Sequence, residues 1–470
     1  MRKVLISILH GPSKEEIDNQ IRRSYPFAQG FELRLDLFSE LALSCLAEIR
    51  QSIAIPVIFS LRKKSHGGNC SLDEPRRLQL LASLLCLQPD YCDLETDVDP
   101  VWVQKFSPQF PQVAFLRSYH NFKETPSDLE TLYQSMKRPE FNLYKIAVHA
   151  QNTIDMLRLM DFASDKKDLI WISMGPQGQP SRILGPVTGS IFSYCGLELR
   201  QNALHQIDLQ TLVQLYRFAE INPQTQIYAL IGDPIDASIG HLYHNQAFAK
   251  MNKNSVYVKL RLVPEELSPF FQWIRKLPFF GLSVTMPYKT AVLPFLDKIE
   301  QTAQSIQAVN TIHCKNSLLT GYNTDGKGAL NALERHIPVQ GKKMKVLGAG
   351  GAARAVIYEA VQRGAIVEVY NRTFQKAQQI ADLFDCEAHP WDQLAQKAGD
   401  ILINTIPSLP NGPFPLPLDS IFFPPYVMDI AVQAKDTAFS SKAKEAKSTL
   451  ISWQEMFYEQ AALQQDIWNS

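Results

Sequence analysis

Residues 346–355 read Val-Leu-Gly-Ala-Gly-Gly-Ala-Ala-Arg-Ala, and this stretch decides the fold of the second half of the chain. A predicted strand, Lys343–Leu347, precedes the glycines, and a predicted helix follows them. In dinucleotide-binding folds such a turn holds a pyrophosphate at the helix N-terminus. Gly348 makes the tight turn, Gly350 lets the pyrophosphate approach, and Ala353 stands where the helix packs against the strand. The alternative is a turn that is merely tight.

The next predicted strand, Ile366–Tyr370, completes a βαβ unit and ends in Asn371-Arg-Thr. A cofactor without a 2′-phosphate normally meets Asp or Glu here, and neither is present. Arg372 offers a cation for that phosphate, which favours NADP. The alternative is a solvated surface arginine. The residues expected to contact the cofactor are Gly348, Ala349, Gly350, Gly351, Ala352, Asn371, Arg372 and Thr373.

A lysine and an aspartate upstream of this turn are suited to reducing a ketone. Lys289 ends the segment Ser283-Val-Thr-Met-Pro-Tyr-Lys, just past a predicted strand, and Asp325 lies in Asn323-Thr-Asp-Gly at the end of another. In one pocket, the two side chains can pass a proton to a ketone oxygen as a hydride arrives. The alternative is a structural ion pair, because the sequence does not show that they touch.

The first 200 residues repeat short apolar runs at intervals of about 20 to 30, the rhythm of strand–helix units. Eight strands with helices between them, in about 210 residues, are what a (β/α)₈ barrel needs. An open parallel sheet is the alternative. The predicted strands are Val4–Leu9, Gly30–Asp36, Ile55–Arg62, Tyr91–Glu95, Val113–His120, Leu143–Val148, Leu169–Met174 and Ile191–Gly196.

Polar residues at the carboxyl ends of these strands are candidates for catalysis, since that end carries the active site in such barrels. Lys145 interrupts an apolar strand, and burial there favours an amine that attacks a ketone to form a Schiff base. A lysine that extends to the barrel rim is the alternative. His120 is placed to move protons, and Glu95 to orient its imidazole.

Three arginines also lie near strand ends, and a guanidinium can bind a substrate carboxylate by two parallel hydrogen bonds. These are Arg34, Arg62 and Arg182. Taken singly, each is more often a surface ion pair, but the recurrence of arginines at strand ends favours a binding role for the set.

Five motifs in order resemble type I 3-dehydroquinate dehydratase over residues 1–219. They are Phe31-Glu-Leu-Arg-Leu-Asp, Cys92-Asp-Leu-Glu, Ser118-Tyr-His-Asn-Phe, Tyr144-Lys-Ile-Ala and Ile172-Ser-Met-Gly with Ser181-Arg. The resemblance implies that Lys145 forms the imine with dehydroquinate, that His120 moves the protons, and that Glu32, Arg62, Arg182 and Gln206 bind substrate. Two positions depart from the family: His66 replaces a glutamate and Asn202 replaces a serine.

Residues 226–470 resemble shikimate dehydrogenase. The matching motifs are Ile231-Gly-Asp-Pro-Ile with Ser238 and His244-Asn, Gly281-Leu-Ser-Val-Thr-Met-Pro-Tyr-Lys, Ala308-Val-Asn-Thr, Gly321-Tyr-Asn-Thr-Asp-Gly, Gly348-Ala-Gly-Gly-Ala and Asn371-Arg-Thr. The resemblance implies that Lys289 and Asp325 are catalytic and that Ser238, Thr285, Asn310 and Gln460 hold the substrate. Gly240 replaces the second serine of the family's Ser-x-Ser-Pro turn, and Val432 a substrate-binding tyrosine.

Together these features predict a two-activity α/β enzyme of the shikimate pathway, in which the first half releases the ketone that the second reduces to shikimate. The alternatives are a second half that prefers quinate, and a metabolite sensor built from inactive copies of both domains. The expected domains are a barrel (1–219), a linker (220–225), a substrate lobe (226–330), a Rossmann-type NADP-binding lobe (331–445) and a C-terminal helix returning to the substrate lobe (446–470).

The amino-acid composition limits the classes of binding partner that we expect for this protein. The chain of 470 residues has 47 Lys+Arg and 47 Asp+Glu, so a nucleic-acid or anionic-membrane surface over the whole protein is not expected. Seven scattered cysteines form no metal motif and suit the reducing cytoplasm. No apolar stretch approaches the roughly 18 residues of a membrane span. We expect small-molecule substrates, no metal, and a cytoplasmic monomer or homodimer.

Overall fold

The computed structural model describes residues 3–197, 206–396, 399–407, 414–432 and 436–470, so Asn202 lies outside the described residues. The chain divides into two compact units. The first comprises Met1–Gln226, Phe248–Val256 and Pro264–Leu277, and the second comprises Ile227–Ala247, Tyr257–Val263 and Pro278–Ser470. Two short segments that follow residue 226 in sequence therefore group with the first unit.

The first unit contains an eight-stranded sheet in which all paired strands run parallel, in the order β7-β6-β5-β4-β3-β2-β1-β8. The two end strands come within 8 Å between Cα atoms, so the sheet forms a nearly closed barrel, as predicted. The strands are β1 Val4–Gly11, β2 Gly30–Phe38, β3 Val57–Ser60, β4 Tyr91–Glu95, β5 Ala114–Asn121, β6 Leu143–His149, β7 Leu169–Met174 and β8 Phe192–Cys195.

Helices cover the outside of this barrel and follow most of its strands. They are α1 Lys14–Ser24, α2 Glu40–Ser44, α3 Leu46–Gln51, α4 Glu74–Leu84, α5 Pro100–Phe106, α6 Leu129–Met136, α7 Thr153–Ala163, α8 Ser181–Leu184 and α9 Leu209–Gln214. A strand buried on both faces reads as a continuous apolar run, which is why the strands stand out in the sequence. All six residues of β7 are buried.

The start of β3 and the direction of the Lys145 side chain each have a clear physical cause. β3 is shorter than predicted and starts at Val57, because Pro56 has no N–H to donate to a ladder. Along β6, side chains alternate in direction, and Leu143 and Ala147 belong to the buried apolar cluster inside the barrel. Lys145 lies between them at the same parity, so it points into the barrel.

A six-stranded mixed sheet begins the second region, in the order β10-β9-β11-β13-β14-β12. β9 and β11 pair parallel, whereas β13 pairs antiparallel with β11 and β14. Its strands are β9 Gln226–Gly232, β10 Ser255–Arg261, β11 Phe279–Val284, β12 Lys298–Ile299, β13 Thr311–Lys315 and β14 Leu318–Tyr322. The helices along this stretch of sequence are α10 Gly240–Lys250, α11 Leu267–Ile274, α12 Gln301–Ile306 and α13 Asp325–Glu334, of which α11 groups with the first unit.

The last sheet is wholly parallel, with strand order β17-β16-β15-β18-β19-β20, the arrangement of dinucleotide-binding folds. The predicted βαβ unit is its centre. The strands are β15 Lys343–Leu347, β16 Ile366–Asn371, β17 Glu387–Pro390, β18 Ile401–Asn404, β19 Tyr426–Asp429 and β20 Thr449–Ser452. The helices are α14 Gly351–Gln362, α15 Phe374–Phe384, α16 Ala438–Glu445 and α17 Trp453–Asn469.

Helix α17 starts at a capping box, in which Ser452 and Glu455 satisfy each other's backbone N–H groups. It packs against α13, where a Cβ on Gly328 would lie 2.6 Å from Gln460 Cβ, so only glycine permits this approach. Met456, Ala461 and Trp468 are buried, so this face of the helix packs against the rest of the chain. Among the described helices, none is both long and apolar enough to span a bilayer.

Candidate active sites

Lys145 lies inside the barrel with its ammonium hydrogen-bonded to the carboxylate of Asp93. Both side chains are only 2% exposed. The Lys145 Nζ lies 5.0 Å from the ring centre of Tyr194. The Tyr194 hydroxyl and Asp93 Oδ1 are buried without a hydrogen-bond partner among the described residues. Two unpaired polar atoms beside the amine can receive the hydroxyls of a bound ligand.

Asp93 is a part of this site that the sequence reasoning missed. Burial would raise the pKa of its carboxyl group, but the charges of Lys145 and Arg62 hold that pKa below its usual range. The group is therefore a carboxylate at neutral pH, and it fixes the position of the lysine. The sequence did contain a signal for Asp93, because Asp93 and Glu95 are two residues apart on β4 and therefore lie on the same face of the strand.

His120 provides a neutral base near the end of β5. Burial lowers the pKa of its imidazole well below the usual value, and the charges of Arg62, Lys145 and other neighbours lower it further. Its Nδ1 is buried and has no hydrogen-bond partner among the described residues. An unprotonated imidazole with a free nitrogen is equipped to accept a proton from a ligand.

The structure gives Glu95 partners other than His120, which it is predicted to orient. Glu95 Oε1 accepts the backbone N–H of Lys63 at 2.9 Å, and Oε2 lies 3.0 Å from Arg77 Nη1. Arg77 on helix α4 is fully buried and also donates to the carbonyl of Leu61 at 2.7 Å. Glu95 therefore ties the loop after β3 to helix α4, a contact that depends on a helix elsewhere in the chain.

The three arginines of the barrel differ in what they already bind. Both donors of one edge of Arg34 are taken by the Asp36 carboxylate, at 2.9 and 2.8 Å. Arg62 lies 3.3 Å from Glu32 and 3.5 Å from Asp93. Arg182 is different, because no carboxylate pairs with it among the described residues.

The nearest acceptor of Arg182 is the carbonyl of Tyr194, at 3.5 Å from Nη1. Burial lowers its pKa to about 10, so it stays charged at neutral pH. A buried guanidinium without a counter-charge is the strongest candidate in the barrel for binding a ligand carboxylate. Arg34 is the weakest of the three, because Asp36 already occupies it.

The remaining predicted barrel residues occupy three different places. Glu32 is buried and accepts the Ser60 hydroxyl at 2.6 Å. Gln206 is half-buried and is the first described residue after the gap at 198–205. His66 lies 3.5 Å from Asp97, and its ring centre is 6.3 Å from that of His120. The loop that carries His66 therefore approaches the base.

In the second unit, Lys289 and Asp325 do touch, which the sequence did not show. Lys289 Nζ is 2.5 Å from Asp325 Oδ2, with the two side chains 17% and 6% exposed. Asn310 Nδ2 donates to Asp325 Oδ1 at 2.8 Å and lies 3.3 Å from Gln460 Oε1. Four predicted site residues from distant parts of the chain thus form one connected group.

Ser238, Thr285 and Gly240 lie in the substrate-sheet region, whereas Val432 follows β19 of the last sheet. Ser238 Oγ accepts the backbone N–H of Gly240 at 3.2 Å, where α10 begins. Thr285 directly follows β11 and is half-buried. Val432 is 45% exposed.

The glycine turn has the shape that a pyrophosphate needs. Gly348 has φ +111°, a backbone conformation that favours glycine, and its N–H donates to the carbonyl of Tyr370 at 2.8 Å. A Cβ on Gly350, which caps α14, would meet nothing within 4 Å, so the helix N-terminus has open space before it. A Cβ on Gly351 would lie 3.4 Å from Lys289 Cβ. Lys289 therefore lies against the glycine turn.

Arg372 is exposed just beyond the end of β16 and forms no ion pair among the described residues. Asn371 Nδ2 donates to the carbonyl of Thr373, which caps helix α15. This bond shapes the turn, and the guanidinium stays available to an anion. Ala349 and Ala352 complete the glycine turn.

The sequence is similar to known proteins in both halves. The Type I 3-dehydroquinase family profile matches residues 6–223, and the profile of the shikimate dehydrogenase substrate binding domain matches residues 230–312. "Shikimate biosynthesis protein AroDE" of Chlamydia pneumoniae is 34% identical over 469 residues, which are 99% of this chain and 95% of that protein. The plant protein "Bifunctional 3-dehydroquinate dehydratase/shikimate dehydrogenase, chloroplastic" of Arabidopsis thaliana is 32% identical, over 93% of this chain and 77% of its own length.

The chain belongs to the bifunctional 3-dehydroquinate dehydratase/shikimate dehydrogenase family.

The dehydrogenase half also has relatives of its own. "Shikimate dehydrogenase (NADP(+))" of Aquifex aeolicus is 37% identical over 252 residues, 53% of this chain and 93% of that protein. These similarities confirm both resemblances drawn from the sequence. In this bifunctional family member, the residues that sequence reasoning missed are Asp93 and Tyr194 in the dehydratase half and Thr324 in the dehydrogenase half, whose hydroxyl accepts from Asn310 at 2.9 Å.

Proposed function

We propose that Lys145 and His120 dehydrate 3-dehydroquinate to 3-dehydroshikimate, and that Lys289 and Asp325 support the NADPH-dependent reduction of that product to shikimate. The observation that carries the proposal is that one chain holds two separate lysine-based groups. One lies inside a barrel and the other lies against a dinucleotide turn. A sensor without catalysis would need neither lysine.

In the dehydratase half, the reaction uses Lys145 as a nucleophile. The amine, after release of its proton, attacks the ketone carbon, and loss of water gives a protonated imine. The imine draws electrons from the neighbouring carbon, from which the neutral imidazole of His120 takes a proton. The β-hydroxyl then leaves as water with the proton that His120 returns. A second water hydrolyses the imine and frees Lys145.

Substrate recognition in the barrel follows from the groups left unpaired. Arg182 is the proposed partner of the substrate carboxylate, because it is buried, charged and without a counter-ion among the described residues. Glu32, Arg62 and Gln206 are the proposed partners of the ring hydroxyls. Arg62 also holds the carboxylate of Asp93, so it links substrate binding to the lysine pair.

In the dehydrogenase half, Lys289 holds a proton at the carbonyl oxygen of the substrate. Reduced NADP, when bound at the glycine turn, supplies the hydride to the carbonyl carbon. Asp325 fixes the ammonium, and Asn310 fixes Asp325 through its second oxygen. Proton transfer from a positioned group contributes roughly 10²- to 10⁴-fold to such a reaction. Ser238, Thr285 and Gln460 are the proposed contacts to the rest of the substrate.

NADP fits the residues of the turn. The open N-terminus of α14 suits the pyrophosphate, and Arg372 suits the 2′-phosphate. The Aquifex aeolicus relative carries NADP(+) in its name, which supports the same choice. The free state of all seven cysteines is consistent with a cytoplasmic location. Light scattering on the purified protein would decide between a monomer and a homodimer.

The direct test is a coupled assay with purified protein, 3-dehydroquinate and NADPH. We expect loss of NADPH absorbance with dehydroquinate alone, because the first site supplies the ketone for the second. No loss even with added 3-dehydroshikimate would reject the reductase assignment for that substrate. Turnover of quinate with NADP in its place would then identify the ring acid that the second site accepts.

Arg372→Ala is expected to raise the KM for NADPH about 10- to 100-fold, since a charge-assisted contact to the phosphate is lost. The KM for NADH should not change, because NADH has no 2′-phosphate. Arg354→Ala is the matched control, since this arginine of α14 already donates to Gln307 at 3.0 Å. Equal losses with both cofactors would show that Arg372 does not read the phosphate.

A further inference from the structure

We propose that the hydroxyl of Tyr257 is a specificity-determining ligand of the substrate carboxylate in the dehydrogenase site, in the place that a side chain at position 240 would fill. This inference rests on the proposed function and names how the second site recognises an acid. The sequence motifs assign no role to Tyr257.

The position of the Tyr257 hydroxyl follows from the space around Gly240. A Cβ built on Gly240 would lie 3.2 Å from Tyr257 Oη and 3.4 Å from Ser238 Oγ. The Cβ of a serine at position 240 would therefore lie close to both oxygens. Since Gly240 has no side chain, the phenol of Tyr257 is the group that stands beside Ser238. Two hydroxyls from different elements thus converge at the start of α10.

The ring of Tyr257 is held firmly, so its hydroxyl is preorganised. Tyr257 is 1% exposed, and its ring stacks on His244 with a centroid distance of 4.6 Å and an interplanar angle of 25°. The side chain of Asn245 accepts the Tyr257 backbone N–H at 2.9 Å and donates to its carbonyl at 2.8 Å. Both His244 and Asn245 are on α10, so the helix that begins at Gly240 also fixes the tyrosine.

The hydroxyl is able to donate to a carboxylate. Burial raises the pKa of Tyr257 above its usual value, so the phenol keeps its proton at neutral pH. The phenol is hydrogen-bonded to Ser283, and since the Ser283 hydroxyl donates to Gln464 Oε1 at 2.9 Å, the phenol is the donor to Ser283 and a bound carboxylate would replace that acceptor. A hydrogen bond to an ionised acceptor is about twice as strong as one to a neutral oxygen. A carboxylate therefore competes well for the tyrosine proton.

The charges at this corner favour an anion. Helix α10 is 11 residues long and begins at Gly240, so its positive end faces the converging hydroxyls. Lys259 is two residues beyond Tyr257 on β10, on the same face of the strand, and donates to the carbonyl of Asp236 at 3.2 Å. The Asp236 carboxylate is on the exposed side of this loop. A carboxylate at Ser238 and Tyr257 thus meets donors and a positive helix end.

Tyr257→Phe tests the proposal because it keeps the ring that stacks on His244 and removes only one oxygen. We expect the KM for shikimate to rise about 10- to 100-fold, as for loss of one hydrogen bond to a charged group. The kcat and the KM for NADP should change little. With the methyl ester of shikimate, which has no carboxylate, wild type and variant should show the same KM.

A second variant gives the proposal an independent test. In Tyr257→Phe/Gly240→Ser the phenol oxygen no longer crowds position 240, so the serine hydroxyl can take its place, and we expect the KM to return towards the wild-type value. Tyr228→Phe is the matched control, since Tyr228 is also buried and its ring packs on Trp468 at 5.0 Å, but it lies in the first half of β9. Its KM should remain that of the wild type.

Three outcomes would overturn the inference while wild type remains active. The first is an unchanged KM in Tyr257→Phe, and the second is an equal rise for acid and ester. The third is a rise in the Tyr228→Phe control as large as in Tyr257→Phe. Wild type that turns over neither shikimate nor dehydroshikimate would instead reject the proposed function, so the two failures are distinguishable.

Discussion

Lys145→Ala is expected to abolish the consumption of 3-dehydroquinate, with a fall in kcat of at least about 10³-fold, while added 3-dehydroshikimate is still reduced. The reason is that the imine cannot form without the amine of Lys145. No other predicted site residue of the barrel is a lysine. NADPH absorbance measures both reactions in one cuvette. Borohydride reduction with dehydroquinate, followed by mass spectrometry, should place a stable adduct on the Lys145 peptide of wild type only.

The alanine variant leaves the Asp93 carboxylate buried without its closest counter-charge, and removing one partner of a buried pair costs about 3–5 kcal/mol. Lys145→Met together with Asp93→Asn removes both charges and guards against loss of the fold. Lys137→Ala is the matched control, because Lys137 also pairs with an aspartate and lies over tyrosine rings, but near the surface. Dehydratase activity that persists in the Lys145 variants would contradict the Schiff-base mechanism.

Lys289→Ala is expected to stop NADPH consumption with either substrate, by about 10² to 10⁴-fold in kcat, because the carbonyl oxygen loses its proton source. Formation of 3-dehydroshikimate from dehydroquinate should continue at the wild-type rate, and chromatography of the product would measure it. The two lysine variants together therefore separate the two reactions on one chain. Each variant also serves as a folding control for the other unit.

Lys327→Ala provides the comparison for the dehydrogenase half. Lys327 is two residues beyond Asp325 on helix α13, but it is exposed. Its removal should leave both activities intact. If Lys289→Ala raised only the KM and kept kcat, Lys289 would be a binding residue and the proton would have to come from elsewhere.

Much of the fold could be predicted from the sequence because buried strands appear there as runs of apolar residues. The strands of the barrel are buried on both faces, so they appear as apolar runs, and Lys145 is conspicuous as a charge within one of them. The βαβ unit was readable because a glycine with positive φ, Gly348, must separate strand from helix. These signals are local, and the structure agrees with them.

Contacts between distant residues were not readable in the same way. Glu95 lies at the predicted strand end, but its carboxylate pairs with Arg77, a buried arginine on helix α4. The sequences of β4 and β5 do not predict this partner. Likewise, the approach of Tyr257 to Gly240 depends on how helix α10 packs on strand β10. The contact between Lys289 and Asp325 joins residues 36 positions apart. The family resemblance supplied that pair, because spacing alone did not.

The return of helix α17 to the dehydrogenase substrate site has a consequence for the order in which the two sites mature during translation. Gln460 meets Asn310 across 150 residues of chain, so the dehydrogenase pocket stays incomplete until the last helix has left the ribosome. The strands of the barrel, in contrast, have all been synthesised by Cys195. Domains generally fold as units and N-terminal ones first. The strands that carry the dehydratase site are thus synthesised before the dehydrogenase pocket is complete.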